Sequence, residues 1–194
     1  MTIVPTFASK QALIIHRRDE GIDRLSRQLG LLGMSVETRW APLEESEMSF
    51  DLVLVDADQG WDGLLPWKPG HPPMPLIALL QSEAPGRIAW VLDQGACGLI
   101  AKPIMPSAVY PALVMAFNLY QNRKREASQM ARLEERVKLR PLVHAAVQAI
   151  QVSRSLGEET AYDLLRRLAM SRRLTVEQTS VEILNGIVSL SEVK

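Results

Sequence analysis

Between Ala108 and Arg140 the chain has no glycine, and its one proline, Pro111, stands near the start. Uninterrupted helix-forming residues over 33 positions predict one long helix, because glycine and proline are the residues that end helices. That helix divides a strand-and-helix pattern before it from an all-helical pattern after it. Ala116, Leu119, Tyr120, Arg123, Ala127, Met130, Leu133 and Val137 recur at steps of three and four, the seam of an amphipathic helix or a short coiled coil. Glu134 and Glu135 beside Arg132, Arg136 and Lys138 supply mixed-sign flanks. Residues 109–140 are therefore expected to be a dimerisation linker that makes a parallel homodimer through Ala116, Leu119, Tyr120, Ala127, Met130, Leu133 and Val137. The alternative is that the stripe packs back onto the chain's own domain. Pro141 lacks an N–H, so it should kink this helix or open a new one.

Ahead of the helix, short apolar runs alternate with helical spacing. Ala12–His16, Phe50–Asp56, Pro75–Leu80 and Gly98–Ala101 read as strands buried on both faces, and Ser35–Trp40 as a strand that alternates. Ile22, Leu25, Leu29 and Leu32 mark a helix that stops at Gly33, and a second helix fits 85–94. This order predicts an α/β fold, a five-stranded parallel sheet over residues 1–108. Trp61–Pro75 holds Pro66, Pro69, Pro72, Pro73 and Pro75 and should be a loop or a degenerate helical turn.

Phe50-Asp-Leu-Val-Leu-Val-Asp56 and Gly95-Ala-Cys-Gly-Leu-Ile-Ala-Lys-Pro103 resemble two stretches of a response-regulator receiver domain, a flavodoxin-like fold. The resemblance implies that Asp56 holds the phosphoacceptor position and Lys102 its cationic partner. The family also uses Mg²⁺ held by an acidic pair ending the first strand. Here His16, Arg17 and Arg18 stand there, with Asp19 and Glu20 displaced further on. Leu80 replaces the expected hydroxyl residue and Leu99 the aromatic switch residue. Two arginines should repel a divalent cation, and without one the charge on a transferred phosphoryl group is poorly stabilised. The expectation is a pseudo-receiver, with Asp56 and Lys102 at inactive phosphoacceptor positions and the Asp56 carboxylate paired with Lys102 or a nearby arginine. The competing reading is a phosphorylation-dependent response regulator.

Residues 141–194 should form three helices: one to about Ser153, one from Glu158 to about Ser171, and one capped by the Thr175-x-x-Gln178 box and ended by Asn185-Gly186. The module carries Lys138, Arg140, Arg154, Arg166, Arg167, Arg172 and Arg173, and Arg166 and Arg173 would share a face if their helix continued that far. Arginine suits phosphates and exposed loop bases, since its planar fork both hydrogen-bonds and stacks. Tyr162 is assigned to the core. Ala146 and Ile150, then Ala161-Tyr162, Leu165-Arg166 and Ala169-Met170, resemble the ANTAR module, the RNA-binding antitermination domain of the amidase regulator family. That family joins a receiver-like domain to ANTAR through a long helix, the order present here. Val147 stands where the family carries a lysine, Gln151 replaces a methionine, and Thr179-Ser180 replaces an apolar-alanine pair.

Charge and composition narrow the class further. Residues 1–121 carry 9 Lys+Arg against 13 Asp+Glu, and residues 122–194 carry 13 against 9, so the second part is basic. No apolar run reaches the ~18 residues of a membrane span. The single cysteine, Cys97, predicts a buried thiol in a cytoplasmic chain. His16, His71 and His144 have no partners at ligand spacing and are expected to be structural. No nucleophile–base pair, phosphate loop or metal cluster stands out, so the chain is not expected to be an enzyme or to carry a cofactor. The resemblance implies a transcription antitermination regulator that binds leader mRNA as a homodimer, without membrane contact. It also implies control by a ligand-sensing protein. A third reading is an interaction adaptor that does not bind RNA.

Overall fold

The computed structural model describes residues 6–188. The chain forms two compact units, residues 1–124 and 125–194.

In the first unit, β1 (Gln11–Ile15), β2 (Ser35–Arg39), β3 (Leu52–Asp56), β4 (Leu76–Leu80) and β5 (Gly98–Ala101) pair in parallel in the order β2-β1-β3-β4-β5. The apolar runs are continuous because alternate side chains enter two different cores. Ala12, Ile14, Leu52, Leu54, Ile77 and Leu79 meet Ile22, Leu25 and Leu29 of α1 (Glu20–Leu31). Leu13, Ile15, Val53, Val55 and Leu76 point the other way, against Leu43, Leu64, Leu65 and Met74. The proline-rich connection between β3 and β4 has no regular helix, as expected, yet Leu64, Leu65 and Met74 do a helix's work there. Each such buried side chain contributes about 2 kcal/mol. The Asp19 side chain accepts from Ile22 N and caps α1, and Gly33 ends the helix at φ 85°, where a Cβ would lie 3.0 Å from Ala8 Cα.

The ladders run one residue past the strands. His16 N donates to Arg39 O, Ala57 N to Leu79 O and Lys102 N to Leu80 O. These bonds align the carboxyl ends of β1, β3 and β5 along one edge of the sheet, where a doubly wound sheet places its sites.

After α2 (Pro85–Asp93), one unbroken helix, α3, spans Pro106–Arg154. Its first turns belong to the first unit. Val109, Leu113 and Ala116 are buried against the sheet, the Tyr120 hydroxyl donates to Pro73 O, and Arg123 Nη1 donates to Gly95 O at 3.0 Å. This corrects two positions of the expected seam: Ala116 and Tyr120 are engaged in the chain's own core. Ala127, Met130, Leu133 and Val137 are exposed. Pro141 starts no new helix. Its φ suits a helix and the missing N–H removes a single bond, so α3 continues through it.

The second unit therefore builds its core from the end of α3, α4 (Glu158–Arg172) and α5 (Val176–Leu184). Ala146, Val147 and Ile150 pack on Ala161, Leu164, Leu165 and Ile183. The predicted capping box is present, with Gln178 N donating to Thr175 Oγ1 at 3.1 Å and Thr175 N to Gln178 Oε1 at 3.0 Å. Among the described residues, no helix is long and apolar enough to cross a membrane.

Candidate regulatory site and nucleic-acid interface

At the carboxyl edge of the sheet, Asp56 is almost fully buried, and Lys102 Nζ donates to its Oδ1 at 2.7 Å. Asp58 N donates to the same oxygen at 3.1 Å. The sequence placed Asp56 and Lys102 here but missed two further members. Asp58 Oδ2 lies 3.0 Å from Lys102 Nζ, and His16 Nε2 lies 3.0 Å from Nζ and 3.3 Å from Asp56 Oδ2. The site partners of His16, Asp56 and Lys102, are 40 and 86 residues away in the chain, beyond any ligand spacing; the signal was its position at the end of a buried strand.

Burial pushes the Asp58 carboxyl up. The Ser82 N–H, the Lys102 ammonium and the Gln81 N–H outweigh that and hold it below the usual carboxylate range. The Mg²⁺ that the receiver resemblance implies does not fit these residues. An ammonium lies on Asp56, an imidazole covers its other oxygen, and no group of three or more His, Cys, Asp or Glu among the described residues is arranged to hold a metal ion. A divalent cation of this kind needs several free oxygen ligands. Leu80 is buried and Leu99 exposed, and neither offers a hydroxyl or an aromatic ring. Beside the site, Arg17 lies over the Trp40 ring at 5.7 Å and Trp40 meets Trp61 edge-on.

In the second unit the predicted arginine set is split. Arg166 and Arg167 are exposed on α4 and share a surface with Glu159 and Asp163, without an ion pair among the described residues. Arg172 Nε is 3.3 Å from Glu182 Oε2. Arg173 takes the left-handed conformation at φ 56° and ends α4, so the expected two-turn face with Arg166 does not form. Lys138, Arg140 and Arg154 are exposed along α3. A separate groove among α3, α4 and α5 is lined by Arg132, Arg136, Arg140, His144 and Tyr162.

Tyr162 is 44% exposed, which corrects its assignment to the core: Ala161 and Leu165 carry the buried stripe of α4, and position 162 is turned away from it. Arg136 Nε lies 3.3 Å from Glu177 Oε1. The carboxyl of Glu177 is held low first by its own backbone N–H, then by Arg136, against the opposing effect of burial. Val147, at the family's lysine position, is buried in the core. Thr179 and Ser180 are buried, and their hydroxyls donate to Thr175 O at 2.9 Å and Val176 O at 2.7 Å, so the polar pair is satisfied within its own helix.

Residues 10–117 match the AmiR N-terminal domain family, and residues 131–184 match the ANTAR domain. The aliphatic amidase regulator of Pseudomonas aeruginosa is 26% identical over 181 residues, 91% of each chain. The transcriptional regulatory protein PdtaR of Mycobacterium tuberculosis is 26% identical over 113 residues, 58% of this chain and 55% of that protein. The CheY-like response regulator receiver domain protein of Methanospirillum hungatei superposes with a TM-score of 0.46 at 19% identity, over 61% of this chain and 99% of that one. With its N-terminal match covering more than half its length and an ANTAR domain following, the chain belongs to the AmiR family of regulators.

Proposed function

We propose that the protein is a transcription antitermination regulator: its ANTAR domain binds leader-RNA hairpins as a homodimer, and its receiver-like domain takes control from a partner protein rather than from a phosphoryl group. The observation that carries this reading is the joint match of both domains, in order, with the relative named aliphatic amidase regulator aligning over 91% of both chains.

Three further features support it. Arg166 and Arg167 stand exposed and without an ion pair among the described residues, as a phosphate-contacting surface requires. Met130, Leu133 and Val137 leave an apolar stripe in water on α3, which a second copy would cover. The imidazole on Asp56 Oδ2 and the arginines in place of the acidic pair disfavour the cation that phosphoryl transfer needs, which favours a protein signal. The receiver-like part then serves as the input, residues 109–140 as the linker and residues 141–194 as the output. Such a protein works in the cytoplasm, where nascent RNA is.

Retention of a two-hairpin leader transcript tests RNA binding. Affinity should fall as salt rises, and the double change Arg166→Ala with Arg167→Ala should weaken binding and flatten that salt dependence. A wild-type chain that retains no RNA at low salt would leave the interaction-adaptor reading in its place.

A further inference from the structure

We propose that His16 closes the Asp56 pocket against divalent cations by acting as the third acceptor of the Lys102 ammonium. This concerns the receiver-like domain alone and stands whether or not the chain binds RNA.

An ammonium carries three donors. Around Lys102 Nζ there are three acceptors: Asp56 Oδ1 at 2.7 Å, Asp58 Oδ2 at 3.0 Å and His16 Nε2 at 3.0 Å. The other ring nitrogen, His16 Nδ1, lies 2.6 Å from Arg17 O. A carbonyl oxygen can only accept, so Nδ1 carries the hydrogen; an ammonium can only donate, so Nε2 meets Lys102 as the acceptor. The ring is 7% exposed and lies over Asp56 Oδ2 at 3.3 Å, covering the one oxygen that neither Lys102 nor Asp58 N takes up.

Two carboxylates and one ammonium leave a net charge of −1, which would by itself draw a cation. His16 prevents this by filling the space and tying down the ammonium. Arg17 and Arg18, exposed on the same loop, add repulsion from outside. Asp19 Oδ2 is 3.9 Å from Nδ1, and the other oxygen of that carboxylate, Oδ1, accepts from Ile22 N and caps α1. A carboxylate in place of the imidazole would convert the pocket. Three carboxylates against one lysine give oxygen ligands and a net charge of −2, the conditions a hard divalent cation requires.

The test is Mg²⁺ titration of the full-length chain, followed by calorimetry and tryptophan fluorescence. The wild type is expected to show no binding at millimolar Mg²⁺. His16→Asp should gain saturable one-site binding, which Asp56→Asn in the same chain should abolish. His16→Asn, whose amide oxygen can still accept from Lys102, should stay closed. A wild type that binds Mg²⁺ as tightly as His16→Asp overturns the proposal, as does a folded His16→Asp chain that binds none. Nitrogen NMR of the wild-type ring at neutral pH gives an independent reading that needs no variant. Hydrogen on Nδ1 and an Nε2 without hydrogen are expected; hydrogen on Nε2 overturns the proposal.

Discussion

Lys102 neutralises a carboxylate that has almost no contact with water, and the cost of losing it follows from that burial. With Asp56 2% exposed, Lys102→Met leaves a buried charge without its partner and should destabilise the first unit by about 3–5 kcal/mol. Urea unfolding followed by tryptophan fluorescence reads this directly, since Trp40, Trp61, Trp67 and Trp90 all lie in that unit. A loss under 1 kcal/mol would mean that the pair contributes nothing beyond an exposed salt bridge. Elsewhere in the unit, both nitrogens of the Arg39 fork donate to Glu47, at 2.6 and 2.7 Å. This bond, helped by the Glu44 N–H, lowers the Glu47 carboxyl from 4.5 to about 2. The folded value lies below the unfolded one, so the stabilisation is complete above the ordinary carboxylate range and disappears as pH falls through the folded value. Unfolding titrations between pH 4.5 and 2 should show that loss, and Arg39→Met should flatten it. Neither pairing was readable from local spacing. Asp56, Lys102 and the place of His16 at the end of β1 came from motif positions, but His16 was read as structural and Asp58, two residues past Asp56, was not singled out.

At the scale of elements, the strands were legible because burial on both faces leaves an unbroken apolar run such as Leu52-Val-Leu-Val-Asp56, all of it buried. The proline-rich segment was correctly expected to lack a regular helix, yet its core contribution through Leu64 and Leu65 was hidden, because no periodicity marks a packed loop. Of the two expectations for Pro141, the start of a new helix is not what forms, for a related reason. Sequence rules treat an interior proline as a boundary, while tertiary packing of Ala146, Val147 and Ile150 holds the last turns of α3 helical. Proline remains costly there, so Pro141→Ala should stabilise the second unit by about 1–3 kcal/mol, measured as a rise in helical melting temperature. A fall in that temperature would show that the helix is not continuous through 141. Tyr162 failed for want of phase: in a helix with four buried positions, one step of about 100° separates core from solvent.

At the scale of the whole molecule, the order of a receiver-like unit, a long helix and an arginine-bearing helical module was legible in full, because each part has its own periodicity and the charge balance changes sign along the chain. The proposed dimer surface rests on fewer positions than the seam offered. Ala116 and Tyr120 shared the seam's spacing with Met130, Leu133 and Val137, but the first unit's core claims them, so the interface should lie toward the C-terminal side of the stripe. Leu133→Asp is expected to convert a dimer to a monomer in sedimentation equilibrium without loss of helix content, whereas unchanged dimer mass would remove this stripe from the interface. The most direct measurement is terminator read-through in vitro, with RNA polymerase transcribing the leader of the transcription unit beside the protein's own gene. Adding the full-length chain should raise the share of full-length transcript, and removing residues 141–194 should abolish the effect. An unchanged share at saturating protein, with the partner absent and hairpins intact, would contradict an antitermination role.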